Sequence, residues 1–147
     1  MSTDPAAAGC PLCRGDGGQV LWRDAQLRVV DAGEPDYPGF TRVIWQDHAA
    51  EMSDLDEAAR QRLMRAVLAV EQAQRRTLAP DKINLASLGN MVPHVHWHVI
   101  PRWRDDRHFP DAVWAAPRRD PGPSPQAPDA AALARYRQAL AQALQEP

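Results

Sequence analysis

The sequence predicts an α+β domain in which a long helix packs on an antiparallel sheet of about five strands. Short stretches rich in β-branched and aromatic residues indicate the strands, and glycine, proline or aspartate bounds most of them. These stretches are residues 19–24, 27–31, 41–45, 82–88 and 93–102. One longer stretch, residues 53–78, repeats its apolar side chains at helical spacing and predicts the helix.

The connections between the predicted strands favour antiparallel pairing. A tight turn separates the first two strands, and residues 32–39, with the sequence A-G-E-P-D-Y-P-G, predict a turn-rich loop before the third. Gly89 and Asn90 are typical hairpin residues, so we expect a turn there between the fourth and fifth strands. Only the link between the third and fourth strands is long, and it contains the helix.

The long helix has recognisable ends. Ser53 is the expected N-cap, with Asp56 three residues later as in a capping box, and Pro80 stops the helix. The apolar stripe consists of Leu55, Ala59, Leu63, Val67 and Val70, with Met64 and Leu68 beside it. Because the opposite face is charged, we expect this helix to pack on the sheet and to take no part in chemistry.

The C-terminal part of the chain predicts a second helix. Residues 117–128 are a proline-rich connector that separates the main domain, residues 1–116, from a C-terminal helix in residues 129–147. Asp129 is the expected cap, and the helix should end near residue 145. Its apolar stripe consists of Leu133, Tyr136, Leu140 and Leu144. This stripe must pack either on its own domain or on a neighbouring chain.

Composition is that of an ordinary soluble globular protein. The chain has 147 residues, 44% hydrophobic and 24% charged, which suits one domain with a real core. Its formal net charge of −2 gives no basic footprint for polymeric nucleic acid. No apolar run is long enough to cross a membrane, and the N-terminus lacks the pattern of a signal peptide. We therefore expect a cytoplasmic protein with neither a membrane nor a nucleic-acid polymer as partner.

The most informative stretch is P-H-V-H-W-H-V-I-P-R, residues 93–102. In a strand, His94, His96 and His98 share one face, and the apolar residues between them share the other. A single metal ion cannot bind all three imidazoles from a straight strand, because the first and third lie about 13 Å apart. At least one imidazole is therefore available as a nucleophile or as an acid–base group.

Cys10 and Cys13 are the only cysteines, and they form a C-x-x-C motif. A disulfide is disfavoured without an export signal, and a redox motif is disfavoured because no βαβ pattern precedes the cysteines. A metal knuckle fits best, with two thiolates supplying half of a tetrahedral zinc site. Two free structural cysteines stay open as an alternative.

The H-V-H-W-H-V-I motif resembles the signature of the histidine triad (HIT) family, in which three histidines alternate with apolar residues. The resemblance continues upstream and covers roughly residues 10–116. It implies a HIT-like fold and a nucleotide substrate, handled by a hydrolase or a nucleotidyl transferase. Members of this family usually dimerise through helix and strand contacts, so the resemblance also implies a homodimer.

The same resemblance implies a zinc site. Some bacterial HIT proteins hold zinc through an N-terminal C-x-x-C, a histidine after the third strand and the first histidine of the triad. The corresponding residues here are Cys10, Cys13, His48 and His94. Because four protein ligands leave no open coordination position, the zinc would be structural.

The resemblance also implies the catalytic roles. His96 would be the nucleophile that attacks the α-phosphorus, and His98 would contact phosphate oxygens and assist the leaving group. Gly89 and Asn90 correspond to a glycine–glutamine pair that touches phosphate, although Asn90 is also explained as a turn residue. Asp31 corresponds to a residue that binds ribose hydroxyls, with a plain strand-ending aspartate as the alternative.

Three further positions bear on the chemistry. Phe40 and Met91 stand where the family commonly has a histidine and a serine or threonine, so two polar groups are missing from the expected pocket. Trp114 either approaches the nucleotide or belongs to the core.

Three functions follow: a phosphoanhydride or phosphoramidate hydrolase, a transferase of the uridylyltransferase type, and a nucleotide-binding module with lapsed catalysis. His98 favours the hydrolase over the transferase, because the transferase branch typically has glutamine at this position.

Overall fold

The computed structural model describes residues 5–145 and confirms the predicted α+β fold. The strands are β1 (Gln19–Arg23), β2 (Leu27–Asp31), β3 (Thr41–Trp45), β4 (Lys82–Ala86) and β5 (His96–Arg102). They form one antiparallel sheet in the order β1-β2-β3-β5-β4. The triad strand therefore lies inside the sheet, between β3 and β4.

Helices occupy both ends of the described residues 5–145 and the long link between β3 and β4. They are α1 (Pro5–Ala8), α2 (Pro11–Arg14), α3 (Glu57–Leu78) and α4 (Ala130–Gln145), with a 3-10 turn at Met52–Asp54. Within residues 5–145, no helix combines the length and the apolar character needed to cross a membrane.

The start of α3 differs from the prediction. Ser53 lies inside the 3-10 turn, and Asp56 is the N-cap, whose carboxylate accepts a hydrogen bond from the Ala59 N–H at 2.8 Å. Because the 3-10 turn occupies the residues before Leu55, the α-helical hydrogen bonds begin only after Asp56. The helix ends before Pro80, as predicted.

Helices α3 and α4 cover one face of the sheet. Val29, Val43 and Val99, from three neighbouring strands, are fully buried against Leu63 and Val67 of α3. These side chains leave one strand face toward the helices at every second residue, as the alternation in the strands requires. The residues between them point to the opposite face, which carries the candidate site.

The C-terminal helix packs on its own domain. Tyr136, Leu140 and Leu144 are buried in the same cluster, and Leu133 is partly buried at its edge. The hydroxyl groups of Tyr136 and Thr41 lie 2.6 Å apart, which joins α4 to β3. The predicted apolar stripe of this helix therefore meets α3 and the sheet.

Several hydrogen bonds tie the proline-rich connector to the domain, beginning at Arg118 and Arg119. The Gly122 N–H donates to the Asp36 carboxylate at 2.7 Å, and the buried Ser124 hydroxyl donates to Asp105. These contacts lead the chain around the domain to Asp129, which caps α4 as predicted.

The triad strand is shorter than predicted. β5 begins at His96, and residues 87–95 form a loop where the sequence predicted a two-residue hairpin turn. The Val95 N–H donates to the Ala49 carbonyl at 2.8 Å, and the Val95 carbonyl accepts from the Trp45 N–H at 3.1 Å. The chain before β5 therefore pairs with the segment that follows β3, which draws it away from β4.

Arg102 ends β5, at the end of the predicted strand, and its side chain is only 2% exposed. Its guanidinium donates to the Asp106 carboxylate at 2.8 and 3.0 Å and to the Asn84 side chain at 2.6 Å. Because a buried cation is stable only when it is paired and hydrogen-bonded, Asp106 accounts for its position.

Candidate functional site

The candidate active site is a cleft of about 540 Å³ on the sheet face that the helices leave uncovered. Strand pairing aligns Arg42 of β3 with His98 of β5, and aligned residues project to the same face. Arg42, His96 and His98 line the cleft together with Leu12, Gly17, Leu88, Gly89, Asn90, Met91, Val92 and Trp114.

His96 is held by the main chain of its own segment. Its Nδ1 lies 2.5 Å from the carbonyl oxygen of His94. A carbonyl oxygen only accepts hydrogen bonds, so Nδ1 carries the proton, and in the neutral ring Nε2 holds the lone pair. This is the tautomer that a histidine nucleophile with Nε2 as the attacking atom requires.

His98 is buried beside His96, with ring centroids 5.0 Å apart. Burial lowers the pKa of His98, and with the added effect of the neighbouring His96 and Arg42 the pKa falls to about 4. Its Nδ1 is buried and has no hydrogen-bond partner in the described part of the chain. At neutral pH, His98 is therefore an uncharged ring.

Two aromatic side chains enclose His98. The ring of Phe40 packs edge-on against it, with the ring centroids 5.6 Å apart, and the centroid of the Trp114 ring lies 5.0 Å from that of His98. Phe40 is buried, whereas Trp114 is 52% exposed and stands at the mouth of the cleft. Trp114 is therefore not a core residue, and its approach to a nucleotide stays a prediction.

The loop before β5 brings Gly89 and Asn90 to the cleft, as the sequence predicted for phosphate-binding residues. Met91 also lines the cleft, but its side chain is 93% exposed and offers no hydroxyl. Asp31 lies elsewhere: its carboxylate accepts from the Gly33 N–H at 2.7 Å and lies 3.4 Å from Arg137 of α4. Ribose binding by Asp31 stays a prediction that this position does not support.

The four predicted zinc ligands converge at one point. The ligand atoms of Cys10, Cys13, His48 and His94 all lie within 4.8 Å of one another. His94 Nδ1 lies 3.4 Å from both sulfur atoms, and His48 Nδ1 lies 3.3 Å from the Cys13 sulfur. A tetrahedral zinc ion with ordinary bond lengths places sulfur and nitrogen ligands about 3.6 Å apart, so the cluster has nearly the right size.

The chemistry of the cluster also fits a zinc ion. Cys10 and Cys13 are not joined in a disulfide. His94 Nε2 lies 2.6 Å from the Trp45 carbonyl, which assigns the proton to Nε2 and turns the Nδ1 lone pair toward the sulfurs. Burial lowers the pKa of His94, which favours the neutral ring that binds metal. The geometry therefore supports the predicted ligand set.

Sequence reasoning missed two arginines at this face. Arg28 donates to the carbonyls of Leu12 and Gly15 at 2.5 and 3.0 Å, and so anchors the segment that carries the cysteines. Arg42 donates to the Gly17 carbonyl at 3.1 Å and lines the cleft. Each arginine lies inside a short predicted strand, and a charged residue at such a position was the signal for the face opposite the core.

The sheet order, the helix layer on one face and the aligned histidines on the other define the class of histidine triad proteins. The HIT domain family model matches residues 17–105, more than half of the chain. The chain belongs to the HIT domain family.

Solved structures agree with this assignment. A histidine triad protein from Bradyrhizobium japonicum superposes with a TM-score of 0.67 at 27% identity and covers 86% of this chain and 91% of its own. A zinc-bound histidine triad family protein from Mycobacterium smegmatis has a TM-score of 0.64 at 24% identity, over 92% of this chain and 96% of its own. At this identity the second likeness concerns the fold.

Among curated proteins, the chain is similar to the asymmetrical bis(5'-nucleosyl)-tetraphosphatase of Schizosaccharomyces pombe. The two are 28% identical over 111 residues, which is 72% of this chain and 61% of the yeast protein. The chain thus spans less than two thirds of that relative's length.

Proposed function

We propose that this protein is a nucleotide hydrolase that cleaves a phosphoanhydride or phosphoramidate bond through a nucleotidyl-His96 intermediate. The observation that carries the proposal is the 2.5 Å contact between His96 Nδ1 and the His94 carbonyl, which leaves Nε2 as the nucleophilic atom. Membership in the HIT domain family and the likeness to a protein named as a tetraphosphatase support the hydrolase class.

In the first step, the lone pair of His96 Nε2 forms a bond to the α-phosphorus. The bond from that phosphorus to its leaving group breaks, and the electron pair departs with the leaving oxygen or nitrogen. The Nδ1 proton stays on the ring, where its hydrogen bond to the His94 carbonyl stabilises the positive charge that the imidazole acquires. Asn90 and the main chain at Gly89, which line the same cleft, contact the phosphate oxygens.

In the second step, a water oxygen bonds to the phosphorus and the N–P bond breaks. Its electron pair returns to His96 Nε2, and the proton of the water is released. The neutral His98 ring, 5.0 Å from His96 between centroids, supplies a hydrogen bond to the phosphate oxygens in both steps. The product is a nucleoside monophosphate, and the imidazole regains its resting form.

Zinc would be held by Cys10, Cys13, His48 and His94, and it would supply structural cross-linking between the N-terminal segment and the chain before β5. His94 then has two tasks, because its ring faces the metal cluster and its carbonyl orients His96. We include a homodimer and a cytoplasmic location in the proposal. Light scattering at micromolar concentration tests the dimer, and a monomer would contradict that part.

The decisive experiment traps the intermediate. Wild-type protein is mixed with labelled diadenosine tetraphosphate or adenosine phosphoramidate, quenched within milliseconds at alkaline pH and digested with trypsin. Peptide 83–102 contains all three triad histidines, and fragmentation assigns the adduct. A nucleotide on His96 supports the proposal, and an adduct on His98 would reassign the roles.

The same mixture separates the other functions. Transfer of the nucleotidyl group to an added sugar phosphate, in preference to water, would identify a transferase. Nucleotide binding without an adduct and without product would identify a binding module, in which Phe40 and Met91 have replaced polar groups that the chemistry needs.

A further inference from the structure

Arg42 is the one side chain with a formal charge at neutral pH among the described residues that line the triad cleft. Within residues 5–145, no carboxylate lies within ion-pair distance of it. One of its five N–H donors bonds to the Gly17 carbonyl at 3.1 Å, and its guanidinium lies 5.5 Å from the Phe40 ring centroid. The remaining donors are available to an anionic ligand.

The position of Arg42 relative to the histidines indicates which part of a substrate it meets. Arg42 is the cross-strand partner of His98, and His98 lies beside His96. The nucleophile and the neutral imidazole therefore follow one another along β5, and the guanidinium lies beside the imidazole on the neighbouring β3. A group that leaves the α-phosphorus on the His98 side reaches Arg42 next.

The geometry points to Arg42 as the residue that binds the second and further phosphates of the leaving group, so that the preferred substrate is a dinucleoside polyphosphate or a nucleoside polyphosphate. This inference rests on the proposed hydrolase function and narrows its substrate class. A guanidinium matches phosphate oxygens with paired N–H donors and keeps its charge at all physiological pH values.

The leaving-group chemistry agrees with this choice. An amine that leaves a phosphoramidate must gain a proton, whereas a polyphosphate leaves as an anion that keeps the electron pair on its terminal oxygen. The apolar surroundings of His98, which include Phe40 and Trp114, lower its pKa to about 4 and make it a poor source of that proton. The cleft thus offers a cation for an anionic leaving group and little acid for a basic one.

The test compares two substrates in matched variants. Arg42→Leu removes the charge, Arg42→Lys keeps it without the planar donors, and Arg65→Leu removes an exposed arginine from α3 on the far side of the sheet. We expect Arg42→Leu to lower kcat/KM for diadenosine tetraphosphate by about 10- to 100-fold, as the loss of a charge-assisted contact requires. Adenosine phosphoramidate should change less than threefold, Arg42→Lys should lie between, and Arg65→Leu should match wild type.

Equal losses on both substrates in a folded Arg42→Leu protein, or no loss on either, would overturn the inference. Melting temperature and zinc content of each variant establish whether the Gly17 contact was needed for folding. If Arg42→Leu does not fold, the comparison between Arg42→Lys and wild type decides, because lysine preserves the charge and the selectivity should then fall only partly.

A binding measurement separates this inference from the function on which it rests. Inorganic tripolyphosphate has no α-phosphorus attached to a nucleoside and reports on the leaving-group site alone. We expect calorimetry to show at least tenfold weaker binding of tripolyphosphate to Arg42→Leu than to wild type. If wild type hydrolyses neither nucleotide but shows this difference, the hydrolase proposal fails and the anion site stands. Equal binding to both proteins would overturn the anion site itself.

Discussion

The main-chain carbonyl of His94 accepts a hydrogen bond from His96 Nδ1 at 2.5 Å, while the ring of the same His94 faces two cysteine sulfurs at 3.4 Å. One residue therefore joins the candidate zinc cluster to the candidate nucleophile. The contact to His96 comes from the main chain of His94. It therefore depends on the position of the backbone at residue 94 more than on the identity of the side chain there.

Replacement of His96 should separate the nucleophile from its neighbour. We expect His96→Ala to abolish turnover of any nucleotide substrate, because no other cleft residue has an imidazole Nε2 oriented by a main-chain carbonyl in the described structure. His98→Ala should retain activity reduced by about 10²- to 10⁴-fold, the range for loss of an assisting group. Single-turnover rates with equal protein and zinc measure both, and robust hydrolysis by His96→Ala would rule out the mechanism.

Removal of one thiolate should weaken the zinc cluster and the fold together. We expect Cys13→Ser to lower the zinc content below one per chain and to lower the melting temperature, because binding energy at a structural site is folding energy. Metal analysis and calorimetry measure the two effects. As a control, a chelator should bring the melting temperature of wild type down to that of Cys13→Ser. The zinc site would be refuted if purified wild-type protein contains no zinc and Cys13→Ser melts at the same temperature as wild type.

The pKa of His98 predicts a pH dependence of stability. Its folded-state pKa of about 4 is lower than the ordinary value of 6.5, so the unfolded chain binds the proton first as the pH falls. The contribution of His98 to the free energy of unfolding is therefore constant above about pH 6.5. Between pH 6.5 and 4 the free energy of unfolding falls by about 3 kcal/mol in total. Urea unfolding from pH 7.5 to 4 measures this slope in wild type and in His98→Gln.

His98→Gln should flatten the slope, because glutamine does not titrate and keeps a similar side-chain length. Wild type and variant share the zinc cluster, so the loss of metal at low pH affects both and cancels in the difference between them. Identical slopes in the two proteins would mean that His98 titrates normally in the folded state.

The packing of α4 predicts a large cost for a cavity at its centre. Leu140 is fully buried in the core that α4 shares with α3. We expect Leu140→Ala to lower the free energy of unfolding by about 2–5 kcal/mol. The exposed Leu68 of α3 is the matched control, and Leu68→Ala should cost less than about 1 kcal/mol. A loss below 1 kcal/mol at Leu140 would show that α4 does not contribute to the folded domain in solution.

The sequence by itself determined the elements of this fold and the residue types of its site. The strands at residues 27–31 and 41–45 were predicted with the bounds that the structure has, because enrichment in β-branched and aromatic residues between turn residues is a local property. The end of α3 before Pro80 and the Asp129 cap of α4 were equally local. The triad motif and the C-x-x-C motif were likewise visible, and they identified the family.

Only the tertiary structure decided which of these residues meet. His94 and Cys10 lie 84 positions apart, and no local pattern places one against the other. Likewise, no local pattern places Arg42 beside His98, and only the pairing of β3 with β5 does so. His94 left the predicted strand because Val95 pairs with Trp45 and Ala49. Long-range hydrogen bonds and packing thus overrode a perfect local alternation, because they satisfy main-chain groups that a longer hairpin would have placed elsewhere.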